Sequence, residues 1–385
     1  MRRIAGPLAA FAAFGVFWGA WGVLLPDVKQ DTGASVAELG AALLAIGLAA
    51  LPAMLVTGRL VDRVGARALA PVLAAFGAAI VLPGLAGSVW QLGLALVLVG
   101  AASGALDVVV NVAVTAIEAE GGPRVVQAAH ALFSAGFLVA ALLVGLARDA
   151  GADPLPVLAG VAVTLLLVAA LNRGHPPAPR RVVERKLAFS RRLLVLGALC
   201  AVAFVVEGGI ENWSALFLET EHDASAAASG LGPGLFAAAM VSGRTLAHWL
   251  EARIGDRILL AGGALVAAAG LVLAAASTGI PLALTGFVLG GGGISIAAPT
   301  LFGAAGRGAS DADRGSAVAS VTTVSYLGFL AGPPLIGAVS GAGGLRVGMV
   351  ALAGIALLLA AATASWGRSA LPLRRLQHPA RGQLP

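Results

Sequence analysis

The chain has 385 residues, of which AVILMFWYC make up 59% and charged residues only 11%, with a formal net charge of +6. A soluble domain is about 25% charged, so this composition excludes a soluble globular enzyme, a disordered chain and a secreted disulfide scaffold. Twelve helical spans of about 20 residues need roughly 240 apolar-compatible positions. The apolar residues together with 53 Gly supply them, and the length leaves no room for an extramembrane domain.

Met1-Arg2-Arg3 has the charge of a signal-peptide start. The apolar stretch from Pro7 to Leu25 has full span length, however, and more spans follow, so an uncleaved first helix is expected. Apolar runs broken by charged or Pro/Gly clusters then predict helices over 7–26, 36–58, 68–88, 90–118, 127–148, 154–172, 193–219, 226–250, 258–277, 279–305, 315–340 and 345–367. Each run is too long for a barrel strand and lacks alternation. With the N-terminus cytoplasmic, 22 Lys and Arg fall on the cytoplasmic side and only Lys29, Arg148 and Arg346 on the other. That asymmetry sets the topology, with both termini inside. Trp90, Trp213, Trp249 and Trp366 fit aromatic belts at the membrane surfaces.

A shift of 190 residues superimposes the halves. Ala34, Ser35, Ala37 and Gly40 fall on Ala224, Ser225, Ala227 and Gly230, and Arg63, Gly65 and Arg67 on Arg253, Gly255 and Arg257. Arg124 falls on Arg314, and Gly136 and Gly145 match Gly328 and Gly337 at an offset of 192. An even six-plus-six repeat is parallel, as in secondary transporters with a site between the halves. Residues 1–172 are expected to form one six-helix bundle and 193–367 a second, with a cytoplasmic tail at 368–385. The linker at 173–192 holds Pro176-Pro177-Ala178-Pro179 and the basic set Arg180, Arg181, Arg185, Lys186, Arg191 and Arg192. It reads as stiff, solvated and suited to anionic headgroups; topology already explains its charge, so nucleic acid is not an expected partner.

The loop after the second span reads Gly58-Arg59-Leu60-Val61-Asp62-Arg63-Val64-Gly65-Ala66-Arg67. It resembles the G-x-x-x-D-R-x-G-x-R signature of the major facilitator superfamily. The resemblance implies an all-α fold of twelve transmembrane helices in two six-helix bundles. It also implies a cytoplasmic gate built on Gly58, Asp62, Arg63, Gly65 and Arg67, which Glu118 can join by pairing with Arg63 or Arg67. The second copy departs from it, with Ala252 in place of the aspartate and Glu251 beside it. Weaker cues resemble the fucose-permease-like branch and bacterial sugar-permease-like carriers. They are Gly104-x-x-Asp107-x-x-x-Asn111, His130-x-x-Phe133-Ser134-x-Gly136, Glu207-Gly208 with Asn212-Trp213-Ser214-Ala215, and Pro299-Thr300-Leu301-Phe302.

Asp107 and Glu207 lie near mid-span in opposite halves. An ionisable group there costs roughly 3 kcal/mol on insertion scales and marks a functional site by default. A carboxyl that takes up and releases a proton can couple proton and substrate movement. Asn111, one turn from Asp107, offers polar contacts to a hydroxyl-rich ligand. Trp18 and Trp21 share a face of the first span, where they can stack on a sugar, and Trp21 equally fits interface anchoring. His130 completes the candidate substrate and proton site, although a lone histidine in a helix is more often a packing hydrogen bonder. Glu211 reads equally as a solvated residue near the outer surface, and Arg244 equally as a snorkelling one. Small-xxx-small pairs at Gly15/Gly19, Gly100/Gly104, Gly286/Gly290 and Gly328/Gly332 predict close helix approach. Pro333-Pro334 is expected to break its span, and the run Gly290–Gly293 to expose backbone to substrate.

There is no G-x-x-x-x-G-K-[ST], H-E-x-x-H, C-x-x-C or G-x-S-x-G. The expectation is therefore a monomeric, cofactor-free, non-enzymatic carrier in the bacterial cytoplasmic membrane. Its partners are a small solute, protons and lipid. Proton-coupled movement of a polar solute such as a sugar is the leading reading, and proton-antiport efflux of a hydrophobic compound the alternative.

Overall fold

The computed structural model describes residues 2–119, 122–123, 125–173, 190–310 and 313–365. Most of the linker, the tail, Trp366, Arg124 and the side chains of Asp62, Glu251 and Ala252 lie outside the described residues. Among those described there is no strand. The helices are α1 (Arg2–Asp31), α2 (Val36–Val64), α3 (Leu69–Ala79), α4 (Val89–Ala119), α5 (Val126–Asp149), α6 (Pro154–Leu171) and α7 (Arg191–His222). They continue with α8 (Ala226–Ser229), α9 (Leu231–Ile254), α10 (Asp256–Ala275), α11 (Ile280–Ile294), α12 (Ala297–Arg307), α13 (Arg314–Gly343) and α14 (Leu345–Ser365). Among the described residues eleven segments are long and apolar enough to cross a membrane, counting α8 with α9 and α11 with α12 as one each; a further apolar segment, Leu69–Leu85, is shorter. It is α3 followed by a 3-10 turn at Leu82–Leu85 that contains Pro83.

Local chemistry fixes the helix ends, and it does so twice. The Ser35 hydroxyl accepts the Glu38 N–H at 3.2 Å while the Glu38 carboxylate accepts the Ser35 N–H at 2.9 Å, a capping box that starts α2. Gly65, at φ +61°, stops it in a conformation that a side chain disfavours. In the second half Ser225 accepts the Ala228 N–H at 3.3 Å and Gly255 takes φ +76°. Gly33 and Asp223, also 190 positions apart in the sequence, both have positive φ.

Lipid tails are as apolar as leucine, so small residues and close backbone approach hold such helices together. Large apolar side chains accordingly point outward, Leu55, Leu143, Leu167 and Leu358 among them. Glycines mark the contacts between helices. A Cβ on Gly136 would meet the Ala12 carbonyl at 2.4 Å, joining α5 to α1. A Cβ on its repeat partner Gly328 would meet the Ala201 carbonyl at 2.0 Å, joining α13 to α7. Gly15 and Gly19 face the Phe133 and Phe137 carbonyls, and Gly100 and Gly104 those of Ile46 and Ala50.

The same device joins one half to the other. A Cβ on Gly40 would lie 2.8 Å from the Pro333 carbonyl and 2.9 Å from the Gly337 Cα. A Cβ on Gly230 would lie 2.7 Å from the Ala141 carbonyl and 3.2 Å from the Gly145 Cα. The contact of α2 with α13 is thus repeated by α8 and the start of α9 with α5. Both contacts sit toward the end that carries the Asp31–Ser35 turn. We call this the acidic end, because Asp27, Asp31, Asp149, Asp153, Glu219, Glu221 and Asp223 gather there, and the opposite one, with the Gly65–Ala68 turn, the basic end.

Two expectations are corrected. Pro333 and Pro334 lie inside an unbroken α13. Each proline removes one hydrogen bond without disturbing helical φ, and a membrane helix tolerates this where a neighbour packs tightly, as α2 does here. The Gly290–Gly293 run faces helices instead of a ligand: a Cβ on Gly293 would meet the Gly263 carbonyl at 2.4 Å, and one on Gly291 the Phe236 ring at 2.7 Å. Gly136→Val or Gly328→Val is therefore expected to destabilise the protein by about 1–3 kcal/mol or more. Gly160→Ala, with nothing within 4 Å of the new methyl, should be neutral or stabilising by about 0.5–1 kcal/mol. The midpoint of thermal unfolding in detergent distinguishes the two classes.

Candidate functional site

A cavity of about 430 Å³ lies at mid-depth between the halves. Trp18 and Phe14 of α1, Asp107 of α4 and His130 and Phe133 of α5 enter it from one half. Glu207, Glu211 and Asn212 of α7, Arg244 of α9 and Tyr326 and Phe329 of α13 enter from the other. A helix presents residues four apart on one face, so Glu207 and Glu211 reach the cavity together.

Asp107 is held from two directions. Asn111 donates to the Asp107 carboxylate at 3.1 Å and to its carbonyl at 2.8 Å. The Tyr326 hydroxyl donates to the other carboxylate oxygen at 3.2 Å, crossing from α13 to α4. Glu207 pairs with Arg244 at 3.6 Å. Glu211 makes no hydrogen bond or ion pair among the described residues. Toward the basic end the wall is open, with His130 exposed and the Arg244 side chain 44% accessible.

At the acidic end one cation ties the halves together. Arg148 of α5, 4% exposed, grips Asp27 of α1 with two hydrogen bonds of 2.5 Å and reaches Glu219 of α7 at 2.7 Å. The Ser229 hydroxyl of α8 donates to Glu219 at 2.5 Å. A bidentate guanidinium satisfies two carboxylates in a fixed plane, so this cluster pins α1, α5, α7 and α8 at one point. Gly22 of α1 sits just below, where a Cβ would be 3.1 Å from the Glu211 carbonyl.

The structure brings together Asp107, Glu207, Trp18 and His130 at the cavity wall, with Asn111 behind. Asn111 is spent on Asp107 and is not among the residues lining the cavity, so it positions the carboxylate instead of meeting a ligand. Trp21 is 1% exposed and stacks on Phe17 at 6.2 Å, in the interior of the first half. It neither reaches the cavity nor anchors at an interface. Trp213 is likewise buried, against Gly337, whereas Trp90 and Trp249 are exposed as a belt requires. Glu118 accepts the Val126 N–H at 2.9 Å, at the start of α5, and does not pair with Arg63 or Arg67. Arg63 and Arg67 are exposed and Gly58 faces open space, so no contact crosses between the halves at these residues with the basic end open.

Glu211 and Arg244, ambiguous by position, both line the cavity. Sequence reasoning missed Tyr326 and the Arg148 cluster. Tyr326 is the one tyrosine of the chain and lies mid-span, which was the available signal. In the sequence Arg148 ends the predicted helix 127–148 and counts only in the charge asymmetry, and nothing in its neighbourhood names Asp27 or Glu219 as partners.

Among the described residues, twelve apolar helical segments surround a charged central cavity that is tied shut at the acidic end and open at the basic end, the arrangement of a multi-pass membrane transporter. The Major Facilitator Superfamily profile matches residues 8–303 and again 212–383, and the chain belongs to that family. It is 34% identical over 386 residues to an uncharacterized MFS-type transporter of Yersinia pestis, covering 94% of each. It is 30% identical over 376 residues to the membrane protein MosC of Rhizobium meliloti, covering 95% of this chain and 91% of that one. The fold is similar to the nucleoside transporter NupG, with a TM-score of 0.79 at 14% identity over 94% of this chain and 99% of that one. It is also similar to a bacterial homolog of the human lysosomal transporter Spinster in an inward-facing, occupied conformation, with a TM-score of 0.75 at 18% identity over 94% and 95%. These matches identify the superfamily and do not confirm the weaker resemblance to the fucose-permease-like branch.

Removing one partner of a buried ion cluster leaves the others unpaired, at a cost of about 3–5 kcal/mol. Arg148→Gln should therefore loosen the acidic end. A Ser103→Cys reporter in the cavity, probed with an impermeant thiol reagent supplied only at the acidic face, should react at least about a hundredfold faster in that background. The native Cys200 is buried. Unchanged reactivity would remove Arg148 from the closure.

Proposed function

We propose that the chain is a secondary active carrier of the bacterial cytoplasmic membrane. It moves a small solute, a sugar or another polar metabolite, by alternating access coupled to protons, and it works as a monomer without a cofactor. In this reading the basic end, both termini and the linker at 173–192 face the cytoplasm, so the conformation described is inward-facing. Residues 1–172 and 193–367 are the two rocking bundles and 368–385 a tail. The concentration of 22 Lys and Arg on one side supports this orientation.

The observation that carries the coupling is the meeting of Asp107 and Glu207, from opposite halves, in one cavity. A mid-membrane carboxyl is costly unless it is used. Each has a partner that it can exchange: the Tyr326 hydroxyl across the halves for Asp107, and the Arg244 guanidinium for Glu207. Protonation of Asp107 removes the charge that favours the Tyr326 hydrogen bond, which links proton uptake to a contact between bundles. The Asp62, Arg63 and Arg67 loop closes the basic end in the opposite state, when the Arg148 cluster is broken. The aromatic lining of Phe14, Trp18, Phe133, Phe236 and Phe329 favours a second reading, proton-antiport efflux of a hydrophobic compound.

Asp107→Asn keeps the shape of the site and removes the titrating group. It is expected to abolish proton-coupled transport in proteoliposomes while expression stays normal; undiminished proton-coupled uptake or efflux would eliminate the coupling role. Glu207→Gln is expected to change the pH dependence of transport, and an unaltered pH profile would take Glu207 out of the mechanism. A thermal-shift screen of the purified protein at two pH values supplies the substrate for both assays. Stabilisation by sugars supports the polar-solute reading, and stabilisation by lipophilic compounds alone supports efflux.

A further inference from the structure

The charges of the cavity do not balance. Three carboxylates, Asp107, Glu207 and Glu211, face one guanidinium, Arg244, and His130 is the remaining basic group on the wall. Arg244 is engaged by Glu207. Asp107 has its two donors, Asn111 and Tyr326. Glu211 is left over: it lines the cavity, one turn beyond Glu207, with no hydrogen bond or ion pair among the described residues. Two carboxylates four residues apart on one helix face repel each other, and a single arginine can compensate only one of them.

Glu211 shares the cavity with the aromatic side chains of α1. Gly22 brings α1 into backbone contact with Glu211 itself, and Trp18, one turn earlier on the same helix, faces the cavity. Trp18 is held edge-on by Phe14 at 6.3 Å and by Phe17 at 5.1 Å, which fixes the indole plane. Tryptophan is the strongest aromatic partner for a cation, and an aromatic ring beside a carboxylate is the chemistry that selects ammonium groups over neutral isosteres. A neutral polyol would give an ionised Glu211 no counter-charge, and an anion would be repelled by each ionised carboxylate of the cavity.

We propose that the solute is a small organic cation, carrying a protonated or quaternary amine that sits between the Trp18 ring and the Glu211 carboxylate. The inference rests on the carrier reading above and narrows its solute. It also makes the solute and the proton alternative occupants of one group of carboxylates, so loading the cation from the protonated site releases protons. The titratable and charged groups facing the cavity are Asp107, Glu207, Glu211, His130, Arg244 and Tyr326.

The test is a set of matched pairs differing only in the amine: phenethylamine against 2-phenylethanol, and glucosamine against glucose. Each is measured by thermal shift on the full-length wild-type protein. At least one amine is expected to stabilise the protein more than its alcohol, and Glu211→Gln is expected to weaken that amine at least about thirtyfold. Equal effects within both pairs, or no stabilisation by either amine, overturns the proposal. So does an amine preference that survives Glu211→Gln. Proton release on amine binding in weak buffer separates the two layers. An amine preference without proton release leaves the cation site standing and removes the coupling, whereas pH-dependent transport of neutral solutes alone does the reverse.

Discussion

The structure depends on backbone meeting backbone across the two halves. At Gly40 with Pro333 and Gly337, and at Gly230 with Ala141 and Gly145, no side chain fits between the helices. A membrane interior supplies no hydrophobic drive for such contacts, so they rest on packing alone. Packing of this kind is close to all-or-none: two helices either nest at the glycine or part. The seam lies toward the acidic end, and the cavity below it is lined by side chains of both halves.

The Arg148 cluster adds what the glycines lack, an ionic tie with strict geometry. One guanidinium satisfies Asp27 and Glu219, and Ser229 completes the second carboxylate. The glycine contacts bring the partners within reach, and the ion pairs then hold them. Deeper in, Tyr326 and Asp107 form the next link between halves. Closure at the acidic end, the hydrogen bond at mid-depth and the open basic end thus form one continuous column of contacts that weakens along the membrane normal.

The repeat explains why the fold was so legible. Ser35 and Ser225 cap, Gly65 and Gly255 terminate, and Gly136 and Gly328 seat one helix on another, each pair doing in space what its alignment implied. These are local tasks, decided by a residue and its neighbours within a turn or by the absence of a side chain. Pro333-Pro334 misled because a proline was judged by its own helix, whereas the tolerance comes from α2 packed against it. Trp21 and Trp18 misled as a pair: three residues apart, they differ by the fraction of a turn that separates an interior position from the cavity wall.

By itself the sequence determined the all-helical membrane fold, the span positions, the superfamily and the two mid-span carboxyls, because apolar length, charge asymmetry and a loop signature act locally along the chain. Only the tertiary structure decided the partners: Tyr326 for Asp107, Arg244 for Glu207, Asp27 and Glu219 for Arg148, and, among the described residues, none for Glu211. A side-chain pair 219 positions apart, like Asp107 and Tyr326, leaves no trace in spacing. Its geometry is fixed by how helices rotate about their axes and slide against one another, and that is set by glycine contacts spread over the whole bundle.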